Sequence, residues 1–189
     1  MMKKVKLNIP VFVLFLSLFS NLAFSQWEEG QISVHLSIPE IALVDIEPGA
    51  NNSIDFSIIP SAESGNSSIA YESSNESLWI NYSSALANQQ NTRKIVAEIS
   101  QGVLPKGILL YLQASHYSGS GEGKLGHSSG KIKLANQPKP IITNIGSCYT
   151  GDGINNGHLL TFSIEIKNYS KVYATEESDF NILYTITDN

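Results

Sequence analysis

Apolar and polar residues alternate along most of this sequence, and this period of two is the feature that most restricts its fold. The clearest case is Leu159–Ile166, where Leu160, Phe162, Ile164 and Ile166 fall on one face of an extended chain. Such alternation is typical of a strand with one buried face. No window keeps apolar residues at the helical spacing i, i+3, i+4 and i+7 for three turns. The sequence therefore predicts an all-β domain with very little helix.

Short strand candidates follow one another at regular spacing, separated by turns rich in Gly, Asn, Ser and Pro. The first alternation, Ile32–Ile38, is interrupted by Pro39 and resumes at Ile41, as in an edge strand that passes from one sheet to another. The further candidates are Ser53–Ile59, Leu78–Ser83, Arg93–Ser100, Gly107–Ala114, Lys131–Leu134, Ile141–Ile145, Leu159–Ile166 and Phe180–Thr187. Strands without crossover helices favour an antiparallel two-sheet β-sandwich, Ig-like, of about eight or nine strands.

The N-terminus has the three parts of a secretory signal peptide. Lys3, Lys4 and Lys6 are followed by the apolar run Val11–Leu16, and Ala23-Phe24-Ser25 supplies small residues for cleavage before Gln26. An uncleaved membrane anchor is the alternative, but the apolar run is short for a bilayer span. We therefore expect a signal peptide at 1–25 and one domain at 26–189. The mature chain would be secreted, periplasmic or on the cell surface, with no membrane span.

The charge balance limits the partners that the mature chain can bind. The whole chain has a net charge of −5, and losing three lysines with the signal peptide would bring it to −8. An acidic chain argues against nucleic acid or an anionic membrane as a partner. Cys148 is the single cysteine, so it forms no disulfide within the chain. It is either a small buried apolar residue or a link to another chain.

A glycine- and asparagine-rich stretch, Asp152–Gly157, imitates the first half of a calcium loop. Ile154 occupies the third ligand position and Ser163 the twelfth, so the oxygen ligands are too few and we predict a turn. His158 and Cys148 together fall short of the three or four ligands of a zinc site. The sequence predicts neither a metal site nor a cofactor.

Two motifs of catalytic or nucleotide-binding proteins occur between Gly119 and Gly130. Gly121–Gly126 matches G-x-G-x-x-G, and Gly126–Gly130 matches the G-x-S-x-G of serine hydrolases, with Ser128 as nucleophile and His158 as its base. Both motifs require a helix directly after the turn, whereas a strand is predicted from Lys131. We therefore expect a long, mobile hairpin loop here and a chain that is not an enzyme.

Trp79 is the residue most suited to bind a ligand. In the predicted strand at 78–83, Trp79 lies on the face opposite Leu78 and Ile80. An exposed indole there would form a stacking platform for a sugar ring, and burial between two sheets is the alternative. Four tyrosines would extend such a platform: Tyr111, Tyr117, Tyr149 and Tyr173.

Three stretches resemble exported Ig-like sandwich proteins of Gram-negative bacteria, some of them fimbrial-subunit-like. They are SIPEIALVDIEP at Ser37–Pro48, WINYSS at Trp79–Ser84 and LYTIT at Leu183–Thr187. The resemblance implies a structural, adhesion or surface-assembly component whose partners are other surface proteins or glycans. Fimbrial subunits borrow a strand from a neighbour's N-terminal extension. This sequence departs from that pattern, because its first predicted strand begins about six residues after the expected cleavage point.

Overall fold

The computed structural model describes residues 32–49, 53–59, 61–66, 70–73, 78–174 and 178–189. The chain divides after Ser37, and every strand of the described residues belongs to the unit Ile38–Asn189. The strands are β1 Ile41–Glu47, β2 Phe56–Ile59, β3 Ala70–Ser73, β4 Leu78–Ala85, β5 Arg93–Gly102, β6 Ile108–Ala114, β7 Glu122–Gly123, β8 His127–Ser128, β9 Lys131–Lys133, β10 Lys139–Ile145, β11 Cys148–Tyr149, β12 His158–Ile166 and β13 Phe180–Asp188. A 3-10 turn lies at Tyr169–Lys171. The all-β prediction is confirmed.

The strands form two main antiparallel sheets, as expected for a β-sandwich. In the first, β11 and β12 pair with successive parts of one edge of β4, and β1 pairs with the opposite edge. β7 pairs with β11, and β6 and β9 continue the sheet beyond β12. The second has the order β13-β5-β10-β8, and β2 and β3 form a separate two-stranded sheet. Because the strands are short and joined without crossover helices, antiparallel pairing is the arrangement that their connections allow.

The core is a single apolar cluster to which both sheets contribute. In the first sheet, Ile80 of β4 and Leu112 of β6 are fully buried, and in the second Ile95 of β5 and Ile142 of β10 are equally buried. Burying each such side chain stabilises the fold by about 1.5–3 kcal/mol. The apolar residues of the alternating pattern thus form the inner face of each central strand.

The glycine-rich stretch Gly119–Gly130 differs from the prediction of a long loop. It contributes β7, which pairs with β11, and β8, which pairs with β10. These two-residue strands have too few residues for an alternation to appear in the sequence, so their pairing depends on the strands that they meet.

The segment Ile32–Ile38 also differs from the prediction. Residues 32–40 form no strand in the described part of the chain, and the first strand begins at Ile41. The apolar side chains of Ile32, Val34, Leu36 and Ile38 are 87, 85, 84 and 75% exposed. Pro39 has no N–H to donate and separates this segment from β1. The expectation that one face of this segment is buried is therefore wrong for the single chain.

Arg93, at the start of β5, connects several strands at one end of the sandwich. Its side chain is 6% exposed, and Nε donates to Asp188 Oδ1 of β13 at 2.8 Å. The guanidinium contacts four further groups: the hydroxyl of Ser84, the main-chain oxygens of Ala85 and Ile41, and the carboxylate of Glu40 at 3.6 Å. The second oxygen of Glu40 accepts from Ala87 N at 3.0 Å. These bonds fix the point at which the chain enters β1.

Candidate functional site

The turn between β11 and β12 is organised by Asn156. Its Nδ2 donates to Asp152 O at 2.7 Å, and its Oδ1 accepts from Ser120 N at 3.2 Å. Its main-chain oxygen accepts from Asn81 Nδ2 at 2.6 Å. Asn155 and Gly157 take the left-handed backbone conformation, with φ of 66° and 84°. The side chain of Asn156, which occupies a ligand position of the calcium-loop pattern, therefore binds the main chain of the turn and of Ser120. Asp152, at the first ligand position, is exposed.

His158 is fully buried at the start of β12 and both of its ring nitrogens have partners. Nδ1 lies 2.8 Å from Ser115 O, so Nδ1 carries the proton and donates. Nε2 then accepts from the hydroxyl of Tyr82 at 3.0 Å, and the two rings stack with centroids 5.8 Å apart. Burial lowers the pKa of His158, because the charged imidazolium would lose its hydration. His158 is thus a neutral connector between β4, β12 and the Ser115 backbone.

Ser128, the nucleophile of the hydrolase motif, uses its hydroxyl to hold the chain. Its Oγ donates to Ala114 O and accepts from Gly130 N at 3.1 Å. The strand β9 follows Gly130, where the motif requires a helix. The nitrogens of His158 are occupied by Ser115 and Tyr82. The structure therefore does not bring the predicted nucleophile and base together as a hydrogen-bonded pair.

Cys148, on β11, has a free thiol that is 9% exposed. Burial raises the pKa of this thiol to about 11, so it is protonated at neutral pH. The interpretation as a small buried apolar residue agrees with this position.

Trp79 lies on the outer face of the first sheet, opposite the buried Leu78 and Ile80, as the alternation predicts. It is half-buried, and its cross-strand neighbours are Glu47 of β1 and Leu159 of β12. The indole thus sits between a carboxylate position and an apolar position on that face.

The four tyrosines make contacts of their own. Tyr111 OH donates to Glu165 at 2.8 Å under Lys131, and Tyr117 OH donates to Thr150 O at 3.1 Å. Tyr149 and Tyr173 are 47 and 75% exposed. A sugar platform shared with Trp79 stays a prediction.

The two edge strands β1 and β13 lie side by side, and we call this part of the sandwich the open side. In the described chain, β13 pairs only with β5, along its whole length, and β1 only with β4. The inner-face side chains of β5 are 0–3% exposed, whereas those of β13 are only half-buried: Phe180, Ile182, Tyr184 and Ile186. Val44 and Ile46 of β1 are half-buried as well.

Sequence reasoning identified β13 as a strand but did not identify the open side. A strand's apolar alternation shows that one face is buried, and it carries no signal for which of its edges remains unpaired.

No family model, curated protein or solved structure matches this chain. In the described part of the chain, no helix is long and apolar enough to cross a membrane. The function of this chain is therefore inferred from the geometry described above.

Proposed function

We propose that this chain is an exported, non-enzymatic β-sandwich protein that serves as a structural or surface-assembly component. In this proposal the segment Ile32–Ile38, which we call the N-terminal segment, adds a strand to the open side of a second copy. The observation that carries the proposal is the exposure of four alternating apolar side chains in that segment, each at least 75% exposed. Monomeric soluble proteins rarely expose apolar side chains in such a contiguous row.

The edge of β13 is suited to receive this segment. A sheet edge presents main-chain N–H and C=O groups that a further strand can pair with. The inner face of β13 is apolar and its outer face is mostly polar, and the N-terminal segment has the same alternation over seven residues. Pairing would turn Val34 and Leu36 toward the half-buried Ile182 and Tyr184. Each apolar side chain covered in this way contributes about 1.5–3 kcal/mol.

A second copy is a better acceptor than the same chain. Only Pro39 and Glu40 separate the N-terminal segment from β1. A tight hairpin with β1 would require positive φ values that proline cannot take. In the described single chain the apolar side chains of the segment stay exposed and β13 pairs only with β5, which leaves the cover to a second copy.

Strand addition between copies produces a chain of molecules and not a closed pair. The donating surface, Ile32–Ile38, differs from the accepting surface on β13, so the contact is heterologous. Each row of copies then keeps one free donor at one end and one free acceptor at the other. The row grows until one of these ends is capped. The sequence departs from the fimbrial pattern only if Ile32–Ile38 is the chain's own first strand. Because this segment forms no strand and exposes its apolar side chains, it can take the place of the N-terminal extension in a fimbrial-like role.

The test is self-association of the purified mature chain, measured by light scattering after size-exclusion chromatography. We expect a concentration-dependent ladder of oligomers in the unaltered chain. Leu36→Asp should abolish the ladder, because it would bury a charge against the apolar face of β13. Ser37→Asp is the matched control: it adds the same charge on the polar face and should leave the ladder in place.

A synthetic peptide of residues 31–39 provides a second test. It should occupy the acceptor edge and shorten the oligomers, whereas a peptide of the same composition without the alternation should not. The proposal fails if the mature chain is monomeric at all concentrations, or if Leu36→Asp and Ser37→Asp behave alike.

Export is supported by the basic, apolar and small-residue parts of the first 25 residues. N-terminal sequencing of the protein recovered outside the cytoplasm should begin at Gln26. Recovery of the full-length chain in the membrane fraction would contradict cleavage.

A carbohydrate-binding module is the second candidate function. The half-buried Trp79 on the outer face of the first sheet favours it, since the exposed part of an indole stacks on pyranose rings. A glycan array should then show binding that Trp79→Ala removes. Retention of the same binding by Trp79→Ala would contradict a stacking role.

A further inference from the structure

The connection from the N-terminal segment to β1 lies at one defined end of β13. The strand β13 runs from Phe180 to Asp188, and Asp188 lies opposite Arg93 of β5. The guanidinium of Arg93 binds both the carboxylate of Asp188 and the main-chain oxygen of Ile41, the first residue of β1. Since one guanidinium reaches both groups, the chain that follows the N-terminal segment joins the sandwich at the Asp188 end of β13.

The direction in which the segment pairs with β13 of a second copy determines how the copies are arranged. The connection from Ile38 to the start of β1 spans at most about 10 Å, so the donating copy lies directly beyond the place where Ile38 pairs. Pairing parallel to β13 puts Ile38 at the Asp188 end, and the Asp188 ends of the two copies then face each other. A third copy would need the space that the first copy occupies, so a parallel arrangement closes as a pair.

Antiparallel pairing leaves the row open. It puts Ile38 at the Phe180 end of the accepting strand, so the Asp188 end of one copy meets the Phe180 end of the next, and each further copy adds in the same way. All strand pairs of the described residues are antiparallel. Antiparallel pairing is also slightly more stable per residue than parallel pairing. The four apolar residues of the segment then meet the four inner-face residues of β13: Ile38 with Phe180, Leu36 with Ile182, Val34 with Tyr184 and Ile32 with Ile186.

The two ends of β13 differ in polarity, and this difference favours the antiparallel direction. Val103 follows directly on Gly102, the cross-strand partner of Phe180, and its apolar side chain is 76% exposed. At the other end, the exposed residues 88–91, just before β5, have the polar sequence Asn-Gln-Gln-Asn. Ile38, which is 75% exposed in the single chain, would therefore meet apolar surface at the first end and polar side chains at the second.

We propose that the Phe180 end of the sandwich, including Val103, is the surface on which the Asp188 end of the next copy docks. The N-terminal segment of that copy pairs antiparallel to β13, with Ile38 opposite Phe180. The partner is therefore a second copy of this chain, arranged end to end with the first. This inference rests on the proposed strand addition and gives it a direction, a register and a second contact surface.

Paired cysteines on the exposed polar faces test the register, in a Cys148→Ala mature chain oxidised with glutathione disulfide. Residues directly opposite in an antiparallel pair have Cα atoms about 4.5–5.5 Å apart, which a disulfide can bridge. The proposed register puts Ser37 opposite Asn181, whereas a parallel register puts Ser33 there. Ser37→Cys with Asn181→Cys should give a covalent ladder on a non-reducing gel. Ser33→Cys with Asn181→Cys is the matched control and should not.

A substitution at Val103 tests the end-to-end contact. Val103→Ser should weaken association between copies about tenfold, because one apolar side chain is no longer covered. Ile154→Ser, at a 56% exposed position on the β11–β12 turn, is the matched control and should leave association unchanged. Equal effects of the two substitutions would overturn the docking surface.

The cysteine pairs also separate this inference from the proposed strand addition. Covalent dimers from the Ser33 pair, with no product from the Ser37 pair, would overturn the antiparallel register and leave strand addition standing. An intact oligomer ladder in which neither pair cross-links would overturn the register as well. A mature chain that forms no oligomers would refute strand addition itself, and the docking surface with it.

Discussion

At the scale of single residues, His158 makes the stability of the fold depend on pH. Its Nδ1–H and Nε2 are both used in the neutral form, and burial lowers its pKa below the ordinary value of 6.5. In the unfolded chain the same imidazole takes up a proton near pH 6.5. The unfolded state therefore binds more protons below that pH, and the free energy of unfolding falls as the pH falls through it.

We expect the free energy of unfolding, measured by urea denaturation, to decrease below about pH 6.5. The contribution of this residue to the slope is up to about 1.4 kcal/mol per pH unit. His158→Gln should remove that part of the slope, even if it lowers stability at every pH. His35→Gln, at an exposed position in the N-terminal segment, is the control and should keep the slope. Identical slopes in the unaltered protein and in His158→Gln would show that another group is responsible.

Cys148 gives a second prediction at this scale. With the pKa of its thiol raised from 9.0 to about 11, the thiolate fraction at neutral pH falls about a hundredfold. Ellman's reagent should therefore label the native protein at least about a hundredfold more slowly than the same protein in guanidinium chloride. Rapid labelling of the native protein, or a dimer that reducing agent separates, would instead indicate an accessible sulfur.

At the scale of strands, Arg93 ties together β5, β13, β4 and the entry to β1. Arg93→Met should lower the free energy of unfolding by about 3 kcal/mol, because several charge-assisted hydrogen bonds disappear together. Arg93→Lys should recover only part of this, since an ammonium group cannot reach carboxylates and carbonyls on several sides as a guanidinium does. Lys94→Met, at the neighbouring half-buried position, is the control in chemical denaturation. A wild-type midpoint for Arg93→Met would contradict the role.

The alternation of the sequence was sufficient to predict the long strands. The predicted segment Leu159–Ile166 lies within β12 at His158–Ile166, and Phe180–Thr187 lies within β13 at Phe180–Asp188. The strands β3, β7, β8 and β11 were not predicted. The last three have only two residues each, so their pairing depends on their partners and leaves no periodic pattern in the sequence.

The N-terminal segment shows what an alternation cannot tell. An alternation of period two indicates that one face of a strand is buried. It does not indicate whether that face is buried against the same molecule or against another one. The sequence therefore predicted a buried face for Ile32–Ile38, and the structure of the single chain leaves that face exposed. The same pattern predicts a strand in either case.

At the scale of the whole molecule, the sandwich should fold without the N-terminal segment. The unit Ile38–Asn189 contains the strands and the core cluster that the described residues form. A chain lacking residues before Ile38 should keep the thermal midpoint of dilute unaltered protein, because the strands and the core cluster of the described residues lie within Ile38–Asn189. Differential scanning calorimetry measures this. A large decrease in the midpoint at low concentration would show that the segment stabilises its own copy.

The Arg93 cluster also determines how force would act on a row of linked copies. Tension along such a row would reach each sandwich through Pro39 and Glu40, beside Arg93, and would pull on β1 from its first residue. β1 pairs with β4 over seven residues, so a pull along the strand axis loads those ladder bonds in shear, all at once and not one after another. The guanidinium stands at the point where the load enters, which is where a mechanical clamp would be most effective.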